Sequence, residues 1–500
     1  MFRVLGSRKI FCDGITRRDA LCVGGLSLLG FGTAGYALAK ESSPASAPAA
    51  HVVKGRGKAK SCILLFLYGS PSQLEFADMK PDAPVEVRGE LRGIPSTLPG
   101  CDVCELLPKT SRVMDKVTVV RSLNHPHPIH GVAYATTGVP NIDVAMELNP
   151  HDPRHWPFIG SVVSYLEAQK KSKTKNIPDN IALPWAFSTR RSGEVHRAGP
   201  YAAFLGSAYH PHYLEFQGKA TKQITKTLND KTITFDEPYV GISPEGRFAF
   251  GSGNNGADDL TLDRLNERKN LLSQLEDLRR TYDSGSFAGV SRQRELAYSL
   301  LSSPAVREAL DLSKVSYKIR ESYGMTVFGQ GCLVARRLVE AGSKFVTVFW
   351  DEFGLAGSGW DTHWEHYPRM KNELMPGFDM GFSGLISDLD QRGLLDETLV
   401  VVLSEHGRTP KLNNAKGAGR DHWSQAYTAL FAGGGVPRGK IIGKTDKIGG
   451  TVLDRPISPK DVLATIYHLL GYDLETQIYD KAQRPYPLVP NASIIEELIA

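Results

Sequence analysis

Leu399-Val400-Val401-Val402-Leu403 runs straight into Ser404-Glu405-His406-Gly407-Arg408-Thr409-Pro410. Five consecutive aliphatic residues suit a strand buried on both faces, and they break into an acid, an imidazole and a base. The same change recurs twice. Phe345-Val346-Thr347-Val348-Phe349-Trp350 precedes Trp360-Asp361-Thr362-His363-Trp364-Glu365-His366, and Gly419-Arg420-Asp421-His422-Trp423 precedes Ala426–Phe431. Near the start of the globular region, Ser61-Cys62-Ile63-Leu64-Leu65-Phe66-Leu67-Tyr68 is another apolar run, broken by Gly69-Ser70-Pro71-Ser72. Open α/β sheets bind ligands outside the carboxyl ends of their strands. Three Asp/Glu/His clusters could therefore meet at one sheet edge, with the residue types that hold divalent metals.

Working outward, Val103 to Met114 reads as a short helix and Val117–Arg121 as the next strand, a parallel crossover unit. Gly131 to Gly138 is a small-residue helix, Pro157 to Gln169 a longer one, and Ala182–Phe187 a strand. Phe328 to Glu340 is closed by Ala341-Gly342, Tyr367 to Arg392 by Gly393, and Val462–Leu470 starts at Ser458-Pro459 and stops at Gly471. Residues 218–324 change character. Leu265, Leu271, Leu272, Leu275 and Leu278 mark one helical face within Leu260 to Tyr282, and Ser291 to Leu312 is similar. This segment is expected to be a helical insertion over the sheet. The fold class is α/β, a doubly wound, mainly parallel sheet.

The first 39 residues read as an export signal. Arg17-Arg18-Asp19-Ala20-Leu21 precedes a weakly apolar, glycine-rich run that ends in Ala37-Leu38-Ala39, a small-residue cleavage motif. That pattern favours removal over an N-terminal anchor, so no stable membrane span is expected after cleavage and the location is periplasmic or extracellular. Residues 40–59 form a Ser/Pro/Ala-rich linker, 60–475 the α/β domain, and 476–500 a C-terminal extension. The signal carries five Lys/Arg against two Asp, so the net +5 of the whole chain falls to about +2 without it. That balance gives no case for nucleic acid. Cys101 and Cys104 could form a disulfide or be two free thiols; Cys62 and Cys332 lie in apolar runs and should be buried.

Asp361 and His363 are two apart and share a face in extended backbone, so both could reach one ion. Glu405 and His406 are adjacent and converge only if the chain turns, which Gly407 permits. His366 is a further candidate. His125-Pro126-His127-Pro128-Ile129-His130 carries three imidazoles, its prolines forbidding a regular helix; these rings could be ligands, a general acid or a nucleophile. Arg408 and Arg420 could clamp an anionic oxygen or balance nearby carboxylates.

The order of these features resembles the alkaline phosphatase and sulfatase superfamily, and more closely the domain of unknown function 1501 family, whose members are often exported by the twin-arginine route. The resemblance is carried by Leu65–Leu74, Lys80–Pro84, Trp360–His363, Gly393–Pro410, Gly419–Trp423 and Asp454–Gly471. It implies a metal-assisted hydrolase of phosphate or sulfate esters. Asp361, His363 and His422 would hold one divalent ion, and Glu405 and His406 would help to hold a second; zinc leads, with calcium, magnesium and manganese as alternatives. The substrate would be an anionic ester, such as a sulfated or phosphorylated glycan, with Arg408 on the anion and His127 or His130 as nucleophile or general acid. Two positions depart from the superfamily pattern. Gly69-Ser70 stands where the first strand usually ends in Asp, and Pro128 and His130 stand near the nucleophile's place. No Cys-x-Pro-x-Arg occurs. These departures suit a second reading, a catalytically reduced protein that binds a sulfated glycan or an envelope partner.

Overall fold

Strand β1 (Ser61–Leu67) is buried along its entire length, because both of its faces are covered. Ile63, Leu65 and Leu67 enter one apolar cluster, and Cys62, Leu64 and Phe66 enter another. Each such side chain contributes roughly 1.5–3 kcal/mol on full burial, so a polar residue at any of them would be costly. The computed structural model describes residues 55–127, 130–140, 143–150, 152, 154–170, 177–192, 196–228, 231–250, 303–355 and 357–499.

The central sheet has nine strands: β1, β2 (Val117–Leu123), β3 (Asn180–Leu183), β4 (His212–Gln217), β5 (Arg247–Phe250), β6 (Phe345–Trp350), β7 (Thr398–Leu403), β8 (Tyr427–Ala432) and β9 (Lys440–Ile442). Their order is β5-β4-β3-β6-β1-β7-β8-β2-β9. β1 lies between β6 and β7, parallel to both, with Leu65 opposite Val348 and Val402. β8 runs antiparallel to β7 and β2, and β5 antiparallel to β4. Helices α1 (Val132–Thr137), α2 (Ile159–Gln169) and α5 (Pro459–Leu469) pack on the face that carries Phe66, Phe349 and Val401. Helices α3 (Val327–Glu340) and α4 (Met375–Gln391) cover the face of Leu65, Val348 and Val402. The expected doubly wound, mainly parallel α/β architecture is the one observed. Among the described residues no helix is long and apolar enough to cross a membrane.

Several local expectations are corrected. Val103 to Met114 is not a helix but a two-residue strand, Val103–Cys104, followed by single 3-10 turns. Pro108 lacks an N–H and biases Leu107 away from helical backbone. Tyr367 to Arg392 is helical but not uniform: a π-helical turn, Met370–Leu374, precedes α4. Pro376 would clash with the carbonyl four residues back, and the wider turn makes room for it. Within 218–324 the residues before 251 are β rather than helical. Gln223–Leu228 pairs with Lys231–Asp236, and β5 extends the main sheet. Their β-branched alternation, Thr232-Ile233-Thr234-Phe235, has period two, which the leucine pattern downstream obscures. That downstream stretch, Leu260 to Tyr282, lies outside the described residues, as do 291–302 of the next expected helix, residues 1–39 expected as an export signal, and most of the expected linker 40–59. The 476–500 stretch shares the core: Ile478, Leu488 and Leu498 are fully buried against α5's cluster. All four described cysteines are free and buried, Cys101 and Cys104 included.

Candidate metal centre

The carboxyl ends of β1, β6 and β7 point to one edge, and antiparallel β8 begins there. Loops that leave three strands and the loop that enters a fourth therefore share that edge. β1 fixes the Asp361 loop directly. The Tyr68 carbonyl accepts from the Trp360 amide at 3.1 Å. Gly69, at φ +89°, lies so close to Asp361 that a Cβ would overlap its backbone amide. Glycine is needed there for both conformation and space. Two further hydrogen bonds close the ring: Arg420 N donates to Thr362 O at 3.0 Å, and the Asn413 side-chain Nδ2 donates to His363 O at 3.1 Å. Gly407–Arg408 pairs with His422–Trp423, with Arg408 opposite His422. Gly407 serves this pairing rather than a left-handed turn. A Cβ there would meet Ala426 O at 2.5 Å and Gln73 Oε1 at 2.7 Å, so its role is steric.

Asp361 Oδ1, His363 Nε2 and His422 Nε2 form a triangle with sides of 3.1, 3.0 and 3.3 Å. A tetrahedron with metal–ligand bonds near 2.0–2.2 Å has edges of roughly 3.3–3.6 Å, so the triangle is close to one face of such a polyhedron. His363 Nδ1 is 2.7 Å from Asp421 Oδ1. With the proton on Nδ1, the Nε2 lone pair faces Asp361 and His422, the carboxylate–histidine arrangement that orients metal ligands. Burial grades from His406 and Glu405, both fully buried, through Asp361 to half-buried His422 and His363. The cluster thus opens to solvent on the His363 side. These donors fit a divalent ion.

His130 lies deeper. Its Nδ1 is 3.0 Å from Glu405 Oε1 and its Nε2 is 3.3 Å from Asp361 Oδ2. Its ring stacks on Tyr68 at 5.1 Å and meets His422 edge-on at 4.2 Å. Burial alone would lower its pKa, but the two carboxylates outweigh burial and hold it at about 9. Burial takes His422 down to about 4 and His406 well below its ordinary value. Burial would raise the Asp361 carboxyl, yet His130 and Arg408 hold it well below the usual range. Glu405 Oε1 also accepts from Gly69 N at 2.7 Å. A glycine amide thus stands at the end of β1, where the resemblance drawn from the sequence leads one to expect an aspartate.

Several expectations change here. Both His130 nitrogens face carboxylates that hold its proton, an arrangement that suits the expected general acid rather than the expected nucleophile. Arg408 is fully buried and its donors are spent on Asp361 Oδ1 (2.6 Å), Ser70 O and Arg420 O; it positions Asp361 and is no free anion clamp. Arg420 is likewise committed, to Glu75 and to the carbonyls of Thr409, Pro410 and Val87. His366 bonds Thr362 Oγ1 at 2.8 Å and sits 3.6 Å from Glu75, outside the Asp361 triangle. His127 rests against His125 and Tyr134; no described contact joins it to Asp361, Glu405 or His422. In sequence, Tyr68 and Gly69 read only as the end of a strand; their contacts with His130, Asp361 and Glu405 appear only in the fold. Both sit at the end of β1, and a strand end abutting a glycine was the available signal.

The sequence profile of the family described as "Protein of unknown function (DUF1501)" matches residues 59–499. No curated protein sequence matches the chain. Among solved structures, the chain is similar to the PsFucS1 sulfatase from Pseudoalteromonas sp. at 12% identity, covering 83% of this chain and 68% of that one, TM-score 0.33. It is similar to the phosphonate monoester hydrolase SpPMH from Silicibacter pomeroyi at 10% identity, covering 88% and 76%, TM-score 0.36. A third is Ps i-CgsB in complex with k-i-k-neocarrahexaose, at 13% identity, covering 83% and 72%, TM-score 0.35.

Proposed function

The chain belongs to the DUF1501 family, and from that premise we propose that it is a metal-dependent hydrolase of phosphate or sulfate esters that works outside the cytoplasm. The observation that carries the reading is the Asp361–His363–His422 triangle, with sides of 3.0–3.3 Å at the carboxyl edge of the sheet. These three residues would hold one divalent ion, zinc by donor chemistry, and Glu405 and His406 would flank a second. Such an ion supplies Lewis-acid polarisation of an ester oxygen. The chain's own residues do the rest. Asp421 fixes the His363 tautomer. Arg408 holds the Asp361 carboxylate, and the Gly69 amide holds Glu405. Solvent access on the His363 side gives an anionic ester, such as a sulfated or phosphorylated glycan, a route to the centre.

The test is metal analysis of protein purified without chelator, followed by assays on aryl phosphate mono- and diesters, a phosphonate monoester and an aryl sulfate. Bound metal with turnover of at least one ester, abolished by chelator, is the expected result. Protein that neither holds nor takes up a divalent ion refutes the reading. The Gly69 amide at the first-strand position favours the second reading, a reduced relative that binds a sulfated glycan or envelope partner. Bound metal without turnover of any ester would select it. We further propose export by the twin-arginine route, on Arg17-Arg18 and Ala37-Leu38-Ala39. Arg17→Lys with Arg18→Lys should leave an uncleaved precursor in the cytoplasm, and normal export of that variant would refute it.

A further inference from the structure

His406 presents a buried lone pair with no partner. Its Nδ1 lies 2.8 Å from the Gly407 carbonyl, so Nδ1 carries the proton and donates. Nε2 is then an acceptor, and it is buried without any hydrogen-bond partner in a fully buried ring. A buried acceptor left unmet costs about 1–3 kcal/mol, so such groups normally have a partner. Two rings face it: His422 at 4.4 Å between centroids and His130 at 5.4 Å. One nitrogen from each of His130, His406 and His422 lies within 4.8 Å of the other two. Glu405 Oε2, also buried and unpartnered, belongs to the same wall.

We propose that His130, His406 and His422 form a second, all-nitrogen site for a divalent cation, which shares His422 with the Asp361–His363 site. His130 is then a ligand that gives up its proton and one of its two carboxylate contacts to the ion; it lies beside Gly69, which cannot ligate through a side chain and whose amide shares Glu405 Oε1 with it. Three imidazoles select a borderline ion such as zinc or cobalt over calcium or magnesium, which prefer oxygen. Because His422 is common to both sets, the two compete for one ring, and one ion per chain is held at full ligation. Losing a ligand of one set moves the ion to the other rather than releasing it. This inference rests on the metal reading given above and replaces its second ion beside Glu405 and His406 with a single ion shared between two ligand sets.

Titration with Co²⁺, followed by its visible ligand-field bands and by equilibrium dialysis, separates the two. Wild type should bind one ion per chain. His363→Ala should still bind one, with changed bands that report an all-imidazole environment. Adding His406→Gln to His363→Ala should abolish binding, and so should adding His130→Asn. Circular dichroism checks that each variant folds; if the buried His406→Gln does not, the His130→Asn pair decides alone. Loss of all binding in His363→Ala, or unchanged binding in the paired variants, overturns the three-histidine site and leaves the Asp361 triangle standing. Wild type that binds no Co²⁺ overturns both.

Discussion

Arg420→Met should destabilise the protein more than almost any other single change near the centre. Arg420 and Glu75 are both fully buried, and Arg420 Nε donates to Glu75 Oε1 at 3.0 Å. Burial alone would raise the Glu75 carboxyl; Arg420 and then His366 more than offset it and hold it at about 2, against an ordinary 4.5. That difference corresponds to roughly 3 kcal/mol of preference for the ionised, paired state. Removing one member of a buried pair typically costs about 3–5 kcal/mol, because the other charge stays buried and unmatched. The carbonyls of Val87, Thr409 and Pro410 also lose their donor. The two routes agree on about 3–5 kcal/mol. The pH sign follows from the direction. Glu75's folded pKa lies below its unfolded one, so its stabilisation is complete above about 4.5 and is lost as pH falls toward about 2. In Arg420→Met burial dominates and that acid-side loss should vanish. Urea unfolding followed by tryptophan fluorescence, at several pH values across that window, measures both effects. Glu75→Gln combined with Arg420→Met should recover part of the cost. A loss under about 1 kcal/mol in Arg420→Met, or identical pH slopes for wild type and variant, would refute the argument.

Gly69→Ala should push the Asp361 loop away from β1 and cost about 1–3 kcal/mol, with weaker Co²⁺ binding; unchanged affinity would show that the loop is not seated by this contact. Asp421 is exposed and bonds His363 Nδ1, so Asp421→Ala should leave the fold intact while weakening metal affinity about 10–100-fold, measured by competition with a chelating dye. Asp461 accepts the amide and hydroxyl of Ser458 at the start of α5 and the amide of Ser493. Asp461→Ala should therefore cost about 1–2 kcal/mol and loosen the C-terminal segment, read as faster proteolysis after α5.

The fold class and much of the candidate acid–imidazole cluster were legible in the sequence. Runs such as Ile63–Leu67 and Val400–Leu403 have no polar face, and only a sheet covered on both sides buries such strands; the acids and imidazoles that break those runs then fall at a strand end. Local pattern also gave α3, α5 and the helix ends at Gly342 and Gly471. It failed where the cause was not local. A proline turned a continuous helical pattern into a π-turn at Met370–Leu374, and a strong leucine repeat hid the strands before residue 251. The roles of the charged residues were the least legible. Arg408 and Arg420 look alike in sequence, each beside an acid–His pair, and either could have faced an anion. Tertiary structure decided that both are buried props, because their guanidinium donors meet carboxylates and carbonyls brought in from Asp361, Glu75 and Val87. His130, too, became a candidate ligand only when β1, β7 and the loop entering β8 converged on it. Composition and periodicity determine which faces are buried, through solvent exclusion. Which charges meet depends on distances between segments 47 to 345 residues apart in these pairs, and those distances exist only in the folded chain.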